Sequence, residues 1–345
     1  MRQNHQSVKP LCRPTRRAAL TQGGAFFAAQ GLSPSLARAA PTGTLFVAPS
    51  PTLAYDPGPG RWDRPQRLAA VESALADRPF DALLRAEAPR APVGALLRIH
   101  DAAYITRITM GAPTGVNDAP MSPGADEAAS RAAGGALLGV DAVMRGAAKN
   151  AFVATRPPGH HALRGAPMGF CFFNNAAVAA RHAMAAHGAE RVAVVDFDAH
   201  HGNGVQRIFW DEKNVLYCST HQSPLYPGTG AVGECGAFDN IVNAPLAKGD
   251  GGEAFRTAFG ERILPRLNAF SPNVIIICSG FDAHLHDPLA GLRLVEGDFT
   301  DVTLRIMEVA ARRCGGRVVS LLEGGYRPED LAACVAAHVG ALMQA

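Results

Sequence analysis

The sequence predicts an α/β fold with a central, mainly parallel sheet and helices on both of its faces. Short apolar runs alternate with longer segments of helical pattern, which is the order that builds parallel sheets. Residues 192–195 and 274–278 contain no polar residue at alternate positions, which indicates strands buried on both faces. The 345 residues, 48% of them hydrophobic, suffice for one large domain, and no repeat or linker divides it.

These patterns predict the following strands and helices. The apolar runs place strands at residues 44–48, 151–154, 192–195, 215–218, 274–278 and 318–322. The helical patterns place helices at residues 65–75, 124–145, 174–187, 204–210, 252–267, 298–313 and 328–345. Pro123 stands near the first turn of the second helix, where a missing N–H removes no hydrogen bond.

Three long polar segments separate these elements, at residues 109–121, 155–173 and 219–250. Loops of this length within a compact α/β pattern commonly carry functional residues. We therefore expect them to form the rim of a functional site.

The first 40 residues have the composition of an export signal. Arg16 and Arg17 precede a weakly apolar stretch over residues 18–32, and Ala37-Arg38-Ala39 supplies the small-x-small pattern that a signal peptidase needs. This order resembles a twin-arginine signal, which exports folded proteins, although a disordered basic N-terminus has the same composition. We expect a signal peptide at residues 1–40, with export to the periplasm or beyond, and one domain at residues 41–345. Without export the protein would be cytoplasmic.

Charge and hydropathy exclude two classes of partner. Six of the 33 basic residues lie in the first 40 residues, which contain no acid, so the remaining 27 face 30 acidic residues and the net charge changes from +3 to −3. A slightly negative domain has no electrostatic footprint for nucleic acid. No run of about 18 apolar residues occurs, so we expect no membrane span. The seven cysteines, without a CxxC spacing, predict no disulfide framework.

Four predicted strands lead directly into residues that carry chemistry. The second strand leads into Arg156-Pro157-Pro158-Gly159-His160-His161, and the third into Asp196-Phe197-Asp198-Ala199-His200. The fifth leads to Asp282, and the sixth into Glu323-Gly324-Gly325-Tyr326. Because the carboxyl ends of parallel strands meet at one edge of a sheet, we expect these groups to share a pocket.

The side chains at these strand ends suit a hydrolytic metal site. Asp198, His200 and Asp282 can hold one divalent ion through oxygen and nitrogen donors and leave a position open for water. The donors suit Zn²⁺, and Fe²⁺ fits them as well. Such an ion acidifies water and polarises a carbonyl, while the tandem histidines can move a proton and Tyr326 can donate to an oxyanion. Together they predict hydrolysis of a carbonyl compound, most simply an amide.

Each motif also has a structural interpretation when it stands alone. A DxDxH pattern after a strand can be a buried capping network, because buried carboxylates need partners in any protein. A His pair after Pro-Pro-Gly can be a surface turn, and a Gly-Gly-Tyr turn is commonly structural. The functional interpretation rests on their conjunction at one edge of the sheet.

Five motifs in this order make the chain similar to the histone deacetylase family, in particular to its class II-like bacterial amidohydrolases and acetylpolyamine amidohydrolases. The resemblance covers about residues 45–345 and implies the three-layer arginase–deacetylase fold and a hydrolase that removes acyl groups from amines with one Zn²⁺ per chain. The motifs are Arg156-Pro157-Pro158-Gly159-His160-His161, Met168-Gly169-Phe170-Cys171-Phe172-Phe173-Asn174-Asn175, Asp196-Phe197-Asp198-Ala199-His200-His201-Gly202-Asn203-Gly204, Ser279-Gly280-Phe281-Asp282-Ala283-His284 and Leu322-Glu323-Gly324-Gly325-Tyr326.

The resemblance also implies a role for each residue at the strand ends. It makes Asp198, His200 and Asp282 the zinc ligands, His161 the general base and His160 its electrostatic support. The other catalytic positions that it implies are Asp196, which orients His160, Asn203, which stands behind His161, and Tyr326, the oxyanion donor.

A substrate channel and a monovalent-cation site follow from the same resemblance. Gly169 and Phe170 match the channel, Tyr226 is assigned to its opposite wall, and Leu289 to its rim. The cation site, for which K⁺ fits, would use side chains and backbone carbonyls of Asp196, Asp198, His200, Ser219 and Thr220.

The chain departs from the family pattern at two places. Family members often carry Gly-His-x-Glu-Arg-Pro near the N-terminus, where this sequence has Gly60-Arg61-Trp62-Asp63-Arg64-Pro65. That segment shapes the rim, so the change bears on substrate choice and assembly. Polyamine-selective relatives can carry an acidic gatekeeper after Asp-Pro. Here Asp287-Pro288 is followed by Leu289, which offers a cationic second amine no partner.

The leading hypothesis is a zinc-dependent deacylase of N-acylated amines. Its substrate would be an acyl-lysine peptide or an acylpolyamine. The sequence leaves open whether the protein forms a homo-oligomer. An arginase-like dimanganese ureohydrolase is one alternative, but it needs a second set of bridging carboxylates that the sequence lacks. A non-catalytic acyl-amine binder is the other, and the intact set of His160, His161 and Tyr326 is evidence against it. The metal content separates the two enzymes. One transition-metal ion per chain indicates the deacylase, and two manganese ions indicate the ureohydrolase.

Overall fold

The computed structural model describes residues 43–48 and 55–344, and the predicted signal peptide at residues 1–40 lies outside these ranges. No helix within them is long and apolar enough to cross a membrane. The described strands are β1 (Thr44–Ala48), β2 (Leu84–Glu87), β3 (Asn150–Val153), β4 (Val192–Asp196), β5 (Val215–Gln222), β6 (Ile241–Leu246), β7 (Val274–Ser279) and β8 (Val318–Leu322). The described α-helices are α1 (Gln66–Ala74), α2 (Val93–Leu96), α3 (Ala102–Thr109), α4 (Ala125–Met144), α5 (Asn175–His187), α6 (Asn203–Ile208), α7 (Gly252–Ala258), α8 (Leu264–Phe270), α9 (Glu296–Cys314) and α10 (Pro328–Gln344).

The described strands form one sheet in the order β2-β1-β3-β8-β7-β4-β5-β6, and every neighbouring pair is parallel. The four strands that lead into the predicted site, β3, β8, β7 and β4, are consecutive neighbours at the centre of this order. Their carboxyl ends therefore lie side by side at one edge, where parallel sheets bind their ligands. The predicted parallel α/β architecture is confirmed.

Helices cover both faces of the sheet, and side chains along each strand alternate between two cores. In β7, Ile275 and Ile277 belong to the core that contains α1, α9 and α10, whereas Ile276 and Cys278 belong to the core that contains α4 and α5. All four side chains are buried. Burial on both faces explains why this run shows no alternating polarity, and each isoleucine contributes roughly 1.5–3 kcal/mol.

Local sequence explains several helix boundaries. The Asn174 side chain accepts a backbone N–H of the first turn of α5 at 2.9 Å. Helices α5 and α9 end at Gly188 and Gly315, which have φ angles of 65° and 61°. Glycine adopts such positive φ angles without strain. Asp298 accepts the Val295 N–H at 3.0 Å and so satisfies a donor at the start of α9.

Helix α4 lies close against the strands that lead into the site. A Cβ on Gly139 would come within 2.9 Å of Val319 in β8, and one on Gly135 within 3.1 Å of Val153 in β3. A side chain at Gly139 would force a neighbour to shift, and one at Gly135 would press against its neighbours. The small residues of α4 therefore set how closely this helix approaches the central strands.

Four features of the sheet and helices differ from the prediction. Helices α2 and α3 were not predicted. Strand β2 has the sequence LRAE and is mostly exposed, so it shows no apolar run. Strand β6 contains Asn243 and Pro245, which indicate a loop, and the proline is tolerated because β6 lies at the sheet edge. The prediction of one continuous loop at residues 219–250 is therefore wrong, since β5 extends to Gln222 and β6 follows. The predicted helix at 252–267 is divided into α7 and α8 by a π-helical turn at Phe259–Ile263.

Candidate active site

Three potential metal ligands converge beyond the ends of β4 and β7. His200 Nδ1 lies 3.2 Å from Asp198 Oδ1 and 2.8 Å from Asp282 Oδ2. The three donor atoms all lie within 4.8 Å of one another, and all three residues are buried. The structure thus brings together the ligand group that the sequence predicts, a donor set that suits a divalent first-row metal.

Glycines and backbone N–H groups hold the two carboxylates in place. The Gly324 N–H donates to Asp198 Oδ2 at 2.8 Å, and the Ala199 N–H donates to Asp282 Oδ1 at 2.8 Å. A Cβ on Gly280 or Gly324 would overlap with these carboxylates. Glycine at both positions is therefore required for space beside the ligands.

The ligand group concentrates negative charge in a buried setting. Burial, reinforced by Asp198, raises the pKa of Asp282 to about 6. Burial lowers the pKa of His200, but the two carboxylates outweigh this effect and raise that pKa to about 11. A cation where the three side chains meet therefore lowers the electrostatic energy of the group.

The tandem histidines lie in opposite electrostatic environments. His160 Nδ1 is 3.1 Å from Asp196 Oδ2, and although burial lowers the pKa of His160, nearby carboxylates raise it to about 10. His161 Nδ1 is 2.8 Å from Asn203 Oδ1, an uncharged partner. Burial, followed by the positive charges of His160 and His200, lowers the pKa of His161 well below its ordinary value. His160 is therefore the cationic member of the pair and His161 the neutral one.

Glu323 holds the turn that carries both histidines. Its Oε2 accepts the N–H groups of Gly159 and His160 at 2.7 and 3.2 Å, and the side chain is fully buried. Burial raises the pKa of Glu323 to about 7, although His160 and the Gly159 N–H oppose the shift. Sequence analysis gave this residue no role. Its position at the end of β8, the neighbour of β3, was the available signal.

A buried Arg–Asp–Arg group links the segment at residues 60–65 to the strand-end turns. Asp63 lies 2.9 Å from Arg67 and 3.1 Å from Arg156. Arg67 Nε donates to the Gly325 carbonyl at 2.6 Å, and its guanidinium lies 5.0 Å from the centre of the Tyr326 ring. The segment that departs from the family pattern therefore supplies Asp63. This carboxylate holds Arg67, and Arg67 anchors the turn that carries Tyr326.

A pocket of about 330 Å³ contains the functional groups of the site. It includes every residue predicted for the channel, together with one metal ligand, one of the tandem histidines and the tyrosine. The lining residues are Trp62, Asp118, His161, Gly169, Phe170, His200, Leu225, Tyr226, Leu289 and Tyr326.

Aromatic rings shape the pocket walls. The Phe170 ring centre lies 5.7 Å from that of Tyr326, and the Tyr226 ring centre lies 5.2 Å from that of His161. Gly169 and Phe170 both adopt positive φ angles, 56° and 67°. A Cβ on Gly169 would overlap with the His161 imidazole. This position therefore needs glycine both for its backbone conformation and for space.

The pocket roles of Trp62, Asp118 and Leu225 were not predicted from the sequence. Asp118 Oδ2 accepts the Tyr226 hydroxyl at 3.0 Å and the Gly169 N–H at 3.1 Å, so it joins two walls. Its Oδ1 is buried and makes no hydrogen bond to any residue that the structure describes. All three residues lie in segments assigned to the rim, so the segments were identified but the residues were not.

Three of the residues assigned to a monovalent-cation site, Asp196, Ser219 and Thr220, lie on neighbouring strands, and Asp198 and His200 follow in the loop after β4. Asp196 at the end of β4 pairs in register with Ser219 of β5. Ser219 Oγ lies 2.9 Å from His221 Nδ1, whereas Thr220 Oγ1 is buried and has no hydrogen-bond partner among the described residues. Because successive side chains of a strand point to opposite faces, Ser219 and Asp196 share a face, and their oxygens are the kind of donor that K⁺ needs.

Comparison with known proteins identifies the family. The profile of the histone deacetylase domain matches residues 61–342. The chain belongs to the histone deacetylase family. The histone deacetylase-like amidohydrolase of Pseudomonas aeruginosa is 41% identical over 276 residues, which cover 77% of this chain and 73% of that protein. The human polyamine deacetylase HDAC10 is 36% identical over 81% of this chain, and the match covers 44% of that protein.

A solved structure of the same family supports the fold. The crystal structure of the HDA15 HD domain matches with a TM-score of 0.82 at 33% identity, covering 87% of this chain and 88% of that chain. The chain therefore has the arginase–deacetylase α/β fold. Its family is one of deacetylases and amidohydrolases.

Glu323→Ala should lower the free energy of unfolding by about 2–4 kcal/mol, because two buried N–H groups lose their acceptor. Glu323→Gln keeps an oxygen at the same place and should lose less than about half as much. Urea denaturation followed by circular dichroism measures both values. Equal losses in the two variants would contradict the hydrogen-bonding role, because they would assign the stability to the charge.

Proposed function

We propose that this protein is a zinc-dependent amidohydrolase that removes acetyl-type acyl groups from N-acylated amines. One observation carries the proposal: His161, His200 and Tyr326 line the same pocket. A proton acceptor, a metal ligand and an oxyanion donor thus face one space, which is what amide hydrolysis needs. Membership of the histone deacetylase family supports the same reaction class.

Zinc suits the ligand group. Two buried carboxylates and one imidazole nitrogen meet there, and Gly280 and Gly324 leave space beside them. Asp198, His200 and Asp282 would hold one Zn²⁺ per chain, and Fe²⁺ suits the same donors. When bound, the ion acidifies a water molecule and polarises the acyl carbonyl.

His161 moves the proton in the proposed reaction. Its Nδ1–H donates to Asn203 Oδ1, which leaves the lone pair of Nε2 to take a proton from the attacking water and return it to the leaving amine. The lowered pKa of His161 keeps the imidazole neutral before the reaction. His160, held as a cation beside Asp196, stabilises the negative charge that develops during attack.

Tyr326 donates a hydrogen bond to the carbonyl oxygen as negative charge develops there. Burial, followed by Asp282 and Asp198, raises the pKa of this phenol well above its ordinary value, so it stays protonated at neutral pH. Two contacts fix its turn. Arg67 lies against the ring, and Asp287 Oδ2 accepts the Tyr326 N–H at 2.8 Å.

The pocket walls favour a slender, uncharged chain next to the acyl group. Phe170 and Tyr226 stand on the walls, and Leu289 gives a second ammonium group no partner. The Asp118 carboxylate also lines the pocket and is an acceptor for an N–H of the substrate. An acyl-lysine side chain of a peptide, or a small N-acyl amine of similar width, fits these features better than a polyamine.

A structural K⁺ beside the ligand group is part of the proposal. The Asp196 carboxylate and the Ser219 hydroxyl, which belong to residues paired in register, support it, because K⁺ is held by oxygen donors. A melting temperature that is the same in potassium and in tetramethylammonium buffer would contradict this site.

Export of the protein is also proposed, and it rests on residues 1–40, outside the described structure. The twin-arginine route moves folded proteins, so a metal ion could be inserted in the cytoplasm before export. The substrate would then be an extracytoplasmic amide rather than an intracellular acetyl-lysine.

Tyr326→Phe and His161→Ala should each lower kcat at least about 100-fold, because each removes one source of transition-state stabilisation. Neither side chain belongs to the ligand group, so the zinc content should stay that of the wild type. Tyr226→Phe removes a hydroxyl from the same pocket and should lower kcat less than about 10-fold. Hydrolysis of a fluorogenic acetyl-lysine or trifluoroacetyl-lysine substrate measures the rates. Near-wild-type turnover in either of the first two variants would refute the role assigned to that residue.

Replacing Arg16 and Arg17 by lysine should keep the full-length protein in the cytoplasm of a host with a twin-arginine system. The wild type should appear in the periplasm with a shorter chain, because cleavage after Ala39 or Ala40 removes the leader. Cell fractionation and intact-mass analysis measure location and length. Equal distribution of the two proteins would contradict export by this route.

A further inference from the structure

A second group of potential metal ligands lies next to the loop that follows Asp282. His284 and His286 belong to this loop, and Asp330 belongs to the first turn of α10. One donor atom from each of the three residues lies within 4.8 Å of the other two. The reaction proposed above uses none of them.

The distances within this group exceed those of good hydrogen bonds. His286 Nδ1 lies 3.4 Å and His284 Nδ1 lies 3.7 Å from Asp330 Oδ2. That oxygen is buried and, among the described residues, forms an ion pair with Arg327 Nε at 3.1 Å but no well-aligned hydrogen bond. An ion with bonds of about 2.0–2.1 Å in tetrahedral geometry separates its ligand atoms by about 3.4 Å. The spacing therefore suits an ion between the side chains better than direct contact between them.

The surroundings provide both an entrance and competing charge. The exposed fraction of the side chain rises from 4% for His284 to 19% for Asp330 and 48% for His286, so one side is open to solvent. Glu296 Oε1 lies 3.7 Å from the second ring nitrogen of His284. Arg327 Nε lies 3.1 Å from Asp330 Oδ2, but this side chain is half exposed and can turn into solvent when an ion binds.

Another histidine–carboxylate group shows the contrasting case. His182 Nε2 and His187 Nε2 lie 2.8 and 2.7 Å from the same oxygen, Asp141 Oδ1. Arg98 lies 3.2 Å from the other nitrogen of His182. Here the same residue types satisfy one another by hydrogen bonds, so nothing calls for an ion. This group is therefore the matched control.

We propose that His284, His286 and Asp330 bind a divalent transition-metal ion of the zinc class, at a site separate from the ligand group of the pocket. Two imidazoles and a carboxylate are the donors that such ions prefer. The ion would join the loop after Asp282 to the helix that follows Tyr326. Between these points lies Asp287, which accepts the Tyr326 N–H. The bound ion therefore stiffens the segment that positions the tyrosine.

The test counts zinc ions per chain. Metal-depleted protein is titrated with Zn²⁺, freed of weakly bound ions by gel filtration, and analysed by mass spectrometry of the metal. Wild type and the control His182→Ala should retain two ions, whereas His286→Ala and Asp330→Ala should retain one. One ion in the wild type, or two in both of the last variants, would overturn the proposal.

The variant Asp198→Ala separates this proposal from the proposed zinc site of the pocket. It should retain one ion, the one at the second site. If the pocket site is the one that fails, Asp198→Ala keeps the same count as the wild type. If the second site is the one that fails, His286→Ala instead keeps the same number of zinc ions as the wild type.

A thermal measurement guards against a variant that simply fails to fold. Zn²⁺ beyond the first equivalent should raise the melting temperature of the wild type by at least about 2 °C, because an ion that binds only the folded state stabilises it. The same addition should leave the melting temperature of His286→Ala unchanged. The circular dichroism spectrum of this variant should equal that of the wild type, which shows that it is folded. An equal rise in both proteins would overturn the proposal.

Discussion

Buried negative charge at the carboxyl ends of the central strands is the constraint on which the rest of the site depends. Asp196, Asp198, Asp282 and Glu323 are all fully buried. Carboxylates in such a place are costly unless cations and hydrogen-bond donors surround them. The protein provides backbone N–H groups, two histidines with raised pKa values and a point where three donors converge. The chemistry proposed for the pocket follows from this compensation.

The loops of the site are fixed by polar contacts rather than by regular secondary structure. Glu323 holds the histidine turn through two N–H groups, and Asp63 joins two arginines that reach separate turns. Asp118 ties Tyr226 to the turn at Gly169. Because each of these carboxylates serves more than one segment, the loops are held as one unit around the pocket.

The sequence predicted the parts of the fold whose signal is local. Buried strands appear as apolar runs, and the DxDxH pattern and Asp282 follow such runs directly in the sequence. The ligand group of Asp198, His200 and Asp282 could therefore be predicted. Strand β2 could not be found in this way, because an exposed edge strand needs no apolar run. Strand β6 is buried, but Asn243 and Pro245 interrupt its apolar run, and the proline is tolerated because β6 lies at the sheet edge. Arg67 and Glu323 are 256 residues apart in sequence, so nothing local indicates that they are in contact. The group at His284, His286 and Asp330 was missed for the same reason.

The central claim is that one zinc ion lies where Asp198, His200 and Asp282 converge. Diffraction data collected on both sides of the zinc absorption edge, from crystals of zinc-loaded protein, test it most directly. The account predicts an anomalous peak about 2.0–2.2 Å from His200 Nδ1 and from one oxygen of each carboxylate, on the pocket side. A fully loaded crystal with no peak at this point, or with a peak more than about 3 Å from any of the three donors, would contradict it.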